Sequence, residues 1–115
     1  MTEGTSLDAR AYSLARSIYV LTAMFPDTEK PLLGKQLRDS ALDLATEAAV
    51  LGGTDDPSER EEMLRLAAMN SIRIRELLRL TQDLDHVPSD SAIELFAEVE
   101  AIGVLIARER RTQPY

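Results

Sequence analysis

From Leu7 to Ile106, apolar residues return at every third or fourth position, and only three short segments interrupt them. That period is the signature of one face of an α-helix. The interruptions carry Pro26, then Gly52-Gly53 with Pro57, then His86-Val87-Pro88. Proline lacks the N–H that a helix interior needs and pushes the residue before it out of the helical region. Glycine just past a helix is a strong stop signal. The pattern predicts four helices, at about residues 8–24, 31–51, 57–85 and 90–110. Short links between amphipathic helices favour antiparallel neighbours. The expected fold is all-α, an up-down-up-down antiparallel four-helix bundle, with residues 1–115 as a single domain.

Each predicted helix has a stripe and a start. The first carries Leu7, Ala11, Leu14, Ile18, Leu21 and Phe25, with Ser6 as its N-cap. The second carries Leu33, Leu37, Ala41, Leu44, Ala48 and Leu51, with Pro31 in its first turn. Gly34 costs about 1 kcal/mol relative to alanine inside a helix. It marks either a later start or a close approach by a neighbour. The third opens on Asp56 as N-cap with Pro57 at its first position, and Glu59, Glu61 and Glu62 follow in the first turns, where negative charge suits the helix dipole. Its stripe is Met63, Leu66, Ala67, Asn70, Ile74, Leu77, Leu78, Thr81 and Leu84, with Asn70 as the polar interruption. Ser89 or Asp90 is expected to cap the fourth, whose stripe is Ile93, Phe96, Val99, Ile102 or Gly103, and Ile106. Residues 1–6 and the tail to Tyr115 are expected to be loose.

Composition removes several classes of function. The chain has no cysteine, so disulfides, thiolate catalysis and cysteine metal sites are excluded, and a reducing cytoplasm fits. Met1-Thr2-Glu3-Gly4 is not a basic region followed by an apolar run, so no signal peptide is expected. No segment approaches the roughly 20 apolar residues of a membrane span. The net charge is −7, so any contact with nucleic acid must come from clustered arginines rather than overall charge.

The stretch Phe25-Pro26, Leu33-Gly34, Gln36-Leu37-Arg38 and Glu47, with a looser match at Glu76-Leu77, resembles the small bacterial four-helix bundles called 23S rRNA intervening-sequence proteins. Avd, the accessory protein of diversity-generating retroelements, belongs to the same structural group. The resemblance implies a bundle that assembles into a homo-oligomer, a pentameric ring. Where that group often reads Asn-Ile-Ala-Glu-Gly, this chain has Leu44-Ala45-Thr46-Glu47-Ala48. Avd proteins tend to be basic, and this chain is acidic. The resemblance thus points to a scaffold more than to binding of RNA or a reverse transcriptase.

Several constellations carry possible chemistry. Asp39, Asp43 and Glu47 stand four apart, so their carboxylates share a helical face. Lys35 relieves one end. Asp43 or Glu47 is expected to join a structural ion pair with an arginine of the third helix or of another subunit. A di-metal carboxylate centre needs Glu-x-x-His motifs on facing helices. The one histidine, His86, falls in a predicted loop, so neither a metal nor a cofactor is expected. Arg65, Arg73, Arg75 and Arg79 stud the third helix, and Arg108 and Arg111 crowd the end of the fourth. They form either a phosphate- or partner-contacting patch or pairs with neighbouring glutamates, Glu61 or Glu62 with Arg65, Arg73 with Glu76, and Glu76 with Arg79.

Arg79 and His86 also match the loose Arg–His spacing of the HEPN ribonucleases. The arginine would stabilise phosphate charge and the histidine would move protons. Beside its stripe, the first helix carries Tyr12, Ala15, Tyr19 and Ala23, and the second carries Leu42, Ala45 and Ala49. Tyrosines suit a contact surface that is apolar in body and polar at the tip. Tyr12, Tyr19, Leu42 and Ala45 are the expected oligomer interface. The sequence reading is a non-enzymatic, cytoplasmic, oligomeric scaffold or adaptor. The alternative is an RNA-binding accessory protein using the arginines of the third helix, and behind it a ribonuclease.

Overall fold

A computed structural model describes residues 6–112. Of the ends expected to be loose, residues 1–5 and 113–115 lie outside them, whereas Ser6 is described and caps α1. Four α-helices make up the fold: α1 (Leu7–Thr22), α2 (Lys35–Gly52), α3 (Pro57–Asp83) and α4 (Ser89–Arg111). A π-helical turn, Lys30–Gly34, leads directly into α2. α1 packs on α2 and α4, and α3 packs on the same two, so the helices form a closed square. α3 has 27 residues, about 40 Å of helix. That nearly fills the molecule's 45 Å long axis.

Side-chain pairs give the directions. Arg60 of α3 bonds to the Leu51 carbonyl at the end of α2, and Arg73 bonds to Gln36 near its start. Arg60 and Glu61 at the start of α3 meet Glu109 and Arg110 at the end of α4, while Arg75 reaches Glu100. Both pairs of helices are therefore antiparallel.

The core is the expected stripes, with local shifts. The six predicted α2 positions are all buried, and Leu37, Ala41 and Leu44 are sealed completely. On α1 the stripe holds and also takes in Ala15 and Thr22. On α3, Leu64 is fully buried while Leu84 is exposed. On α4, Ala92 faces the core and Ile93 faces out. The stripe of α4 thus runs through Ala92, Val99, Ile102 and Ile106, one position away from the largest residue of its first turn. Three buried hydroxyls are satisfied locally: Thr22 donates to the Tyr19 carbonyl, Ser71 to Ala68 and Thr81 to Leu77.

The helix ends follow their caps. Ser6 accepts from the Ala9 N–H, and Asp56 accepts from the Glu59 N–H, as expected. α4 differs, because Pro88 occupies the N-cap position without a side-chain bond, and neither Ser89 nor Asp90 caps. α1 stops at Thr22, two residues before the expected end. α3 ends in a Schellman motif: Asp85 has φ 58°, its N–H donates to the Gln82 carbonyl, and the His86 N–H donates to Thr81.

Gly34 has a definite reason. Its N–H donates to the Glu29 carbonyl five residues back, the π pattern, at 3.0 Å. A Cβ there would meet the Arg38 guanidinium at 3.1 Å and the Phe25 ring at 3.5 Å. The later start is the expectation that holds, since α2 begins after Gly34, and the groups around it belong to α2, the π turn and Phe25 rather than to a neighbouring helix.

Candidate protein–protein interface

Around α1 the side chains divide by direction. Arg10 points at α4, with its Nε 3.2 Å from Glu98. Tyr12 and Tyr19, two and nine positions further on, lie on the opposite flank, beside α2. On α2, Gln36 and Glu47 point at α3 and bond to Arg73 and Asn70. Leu42 and Ala49 fall on the other flank, beside α1. The outer α1–α2 face therefore gathers Tyr12 (62% exposed), Tyr19 (49%) and Leu42 (52%), with the exposed small residues Ala23 and Ala49 among them. Ala45 is only partly exposed and packs against the core, so it is an inner margin of this face. Ala15 belongs to the core.

Glu47 has a neutral partner. Both of its carboxylate oxygens accept from the Asn70 side-chain amide, at 3.0 and 2.9 Å. The arginine of the third helix expected at Glu47 is thus corrected to Asn70, which occupies the facing position on antiparallel α3, while Arg73, a turn further on, is taken by Gln36. Burial pushes the Glu47 carboxyl above its ordinary value. The Asn70 hydrogen bond opposes the shift, and the Asp43 charge adds to it. Asp43 is exposed on the same flank. The other end of the ridge is as expected, with Lys35 bonded to Asp39 at 2.6 Å.

The arginines of α3 turn in different directions, although Arg75 and Arg111 both line one groove between α3 and α4. Arg73 turns to α2, whereas Arg75 turns to Glu76 and to Glu100 of α4. Arg65 bonds to Glu62 and holds that carboxyl below its ordinary value, chiefly through the hydrogen bonds. Arg79 bonds to Glu76. The expected Glu62–Arg65 and Glu76–Arg79 pairs are present. Arg73 goes to Gln36 rather than Glu76, and Glu61 accepts from Arg110. Arg108 and Arg111, both exposed, make no ion pair among the described residues.

His86 is not the exposed loop residue its position suggested. Its side chain is 14% exposed. The ring lies against Phe25, with centroids 5.6 Å apart, and Nε2 is 3.9 Å from Glu29. Its partners are therefore at the end of α1 and the π turn, while Arg79 is engaged with Glu76.

No family model matches this chain, and no curated protein matches it. No helix among the described residues is long and apolar enough to cross a membrane. Among them, no group of three or more His, Asp or Glu side chains is placed to hold a metal ion.

The sequence reading missed a second outer surface, a groove of about 580 Å³ between α3 and α4. Its flanks carry Ile72 and Val104, both half exposed. The signal was available, since neither residue fits the stripe of its helix.

Proposed function

We propose that this chain is a non-enzymatic, self-associating helical scaffold or adaptor of a reducing cytoplasm, with the α1–α2 face as its contact surface. The observation that supports it is the exposure of Tyr12, Tyr19 and Leu42 together on one face. Exposed apolar groups gathered in one place, rather than scattered singly, mark contact sites on soluble proteins. A ring needs two different surfaces meeting head to tail. The resemblance to the intervening-sequence and Avd-like bundles supplies the subunit number, five. The engagement of Arg65, Arg75 and Arg79 with glutamates and of Arg73 with Gln36 favours this reading over an RNA-binding accessory protein that uses the arginines of α3. The engagement of Arg79 with Glu76, and of His86 with Phe25, favours it over a ribonuclease.

Light scattering on the purified chain tests the proposal. A multiple of the protomer mass is expected at micromolar concentration, and a protomer mass would overturn it. A dimer mass would overturn the ring of five alone. Tyr19→Glu places a charge in the contact and should dissociate it with the helical circular dichroism unchanged. Tight, steeply salt-dependent filter binding of structured RNA would favour the accessory-protein reading instead.

A further inference from the structure

The groove between α3 and α4 lies on the face of the square opposite α1–α2. Gly103 is in its floor. A glycine in the middle of a helix costs about 1 kcal/mol relative to alanine. Packing within the bundle does not require it, because a Cβ there would meet only the Ser71 hydroxyl, at an ordinary 3.9 Å.

The charges beside the groove indicate its partner. Glu100, Val104, Ala107 and Arg111 lie along one exposed face of α4, spaced four, three and four residues apart. This order is self-complementary when reversed. If a second α4 is laid antiparallel across the first, about a point between Val104 and Ala107, each residue meets a chosen mate. Val104 falls on Ala107 of the other copy, and Glu100 falls on Arg111, at both ends. Arg111 makes no ion pair among the described residues, and Glu100 has only the loose 3.9 Å contact with Arg75. Ile72, 52% exposed on the α3 flank, and Val104, 55% exposed, supply the apolar body of the contact.

We propose that the α3–α4 groove binds a second copy of this chain about a two-fold axis, with α4 antiparallel to α4 and a Glu100–Arg111 ion pair closing each end. Two-fold pairing uses one patch twice and closes on itself. Insertion of the α1–α2 face into the groove would join opposite sides of the bundle and propagate as a line. The two-fold contact uses a different face from the scaffold contact above, so the two stand or fall separately.

Charge reversal tests it, read as the dimerisation constant by sedimentation equilibrium in the full chain and in a Tyr19→Glu background. Glu100→Arg and Arg111→Glu should each weaken the contact at least about tenfold, as like charges meet at both ends. The two reversals combined should restore it to within about threefold, because the pairs reform with sign exchanged. On one helix the two positions are about 16 Å apart, too far to pair within a protomer. Rescue therefore reports a contact between copies. Val104→Glu, at an exposed position, should also weaken it without loss of helical signal. Failure of the combined variant to recover, or no response to either single reversal, overturns the proposal. If Tyr19→Glu leaves the mass unchanged while the reversals lower it, the α1–α2 contact falls and this one stands.

Discussion

The α2–α3 seam and the α1–α4 seam are built differently. The α2–α3 packing is the more extensive, and both helices bring large side chains sealed from solvent, Leu37 and Leu44 from one and Leu64, Ile74 and Leu78 from the other. The polar contacts there are Asn70 on Glu47 at mid-length, with Arg73 on Gln36 and Arg60 on the Leu51 carbonyl towards the two ends. Between α1 and α4 the packing is less extensive. Ser13, Ser17, Glu94 and Glu98 line its margin, and the cross-link is Arg10 to Glu98. Sealed apolar side chains dominate the first seam, whereas polar groups line the margin of the second. Exposed ion pairs add little, typically under about 1 kcal/mol, so the first seam should carry most of the stability.

The largest effect that could break this contrast is in the core. Leu44→Ala should cost about 3 kcal/mol in urea denaturation, within the range for sealed leucines. Leu95→Ala, partly buried on the α1–α4 side, should cost about half of that. Equal losses would show that the two seams share the load.

Next come the polar links. Glu47→Ala leaves the Asn70 amide without its mate and should cost about 1–2 kcal/mol. Glu98→Ala should cost less than about 1 kcal/mol, and Asp39→Ala on the exposed Lys35 pair a few tenths. Thermal melts that rank the three otherwise would reverse the contrast.

The smallest effect is a pH slope. The native fold holds the Glu47 proton more tightly than the unfolded chain does, because burial raises its value. The stability from this group is full below the ordinary carboxyl value of 4.5. It declines as pH rises through the raised native value. Glu47→Gln, which keeps an acceptor for Asn70, should gain on the natural chain from acid to neutral pH by a few tenths of a kcal/mol, solvent screening included. A difference independent of pH would show that the carboxyl carries no such burden.

The α2 stripe was fully legible because burial at every third or fourth residue is a property of one helix. The identity of the Glu47 partner was not, because it depends on the register between two helices. Asn70 was visible as a polar break in an apolar stripe, and such a break calls for a partner, but periodicity alone cannot name it. His86 shows the same limit: a loop position in the chain becomes a packed one when the end of α1 folds across it. The opening of α4 was misread because Ile93 is larger than Ala92, while the turn of the helix puts alanine inward. Of the candidate interface, Tyr12, Tyr19 and Leu42 were readable as apolar residues off the stripe. The α3–α4 groove became clear only once both helices were side by side.

The π turn before α2 is also an adjuster of phase. A residue inserted or removed within α2 would rotate everything beyond it by about 100°, carrying Ala41, Leu44 and Ala48 out of the core. The turn from Lys30 to Gly34 already holds one residue more per hydrogen bond than an α-helix. A single residue lost there can be taken up by closing π to α, leaving the stripe beyond Lys35 aimed inward. The entry to α2 is thus the place where the chain can change length while its core keeps its aim.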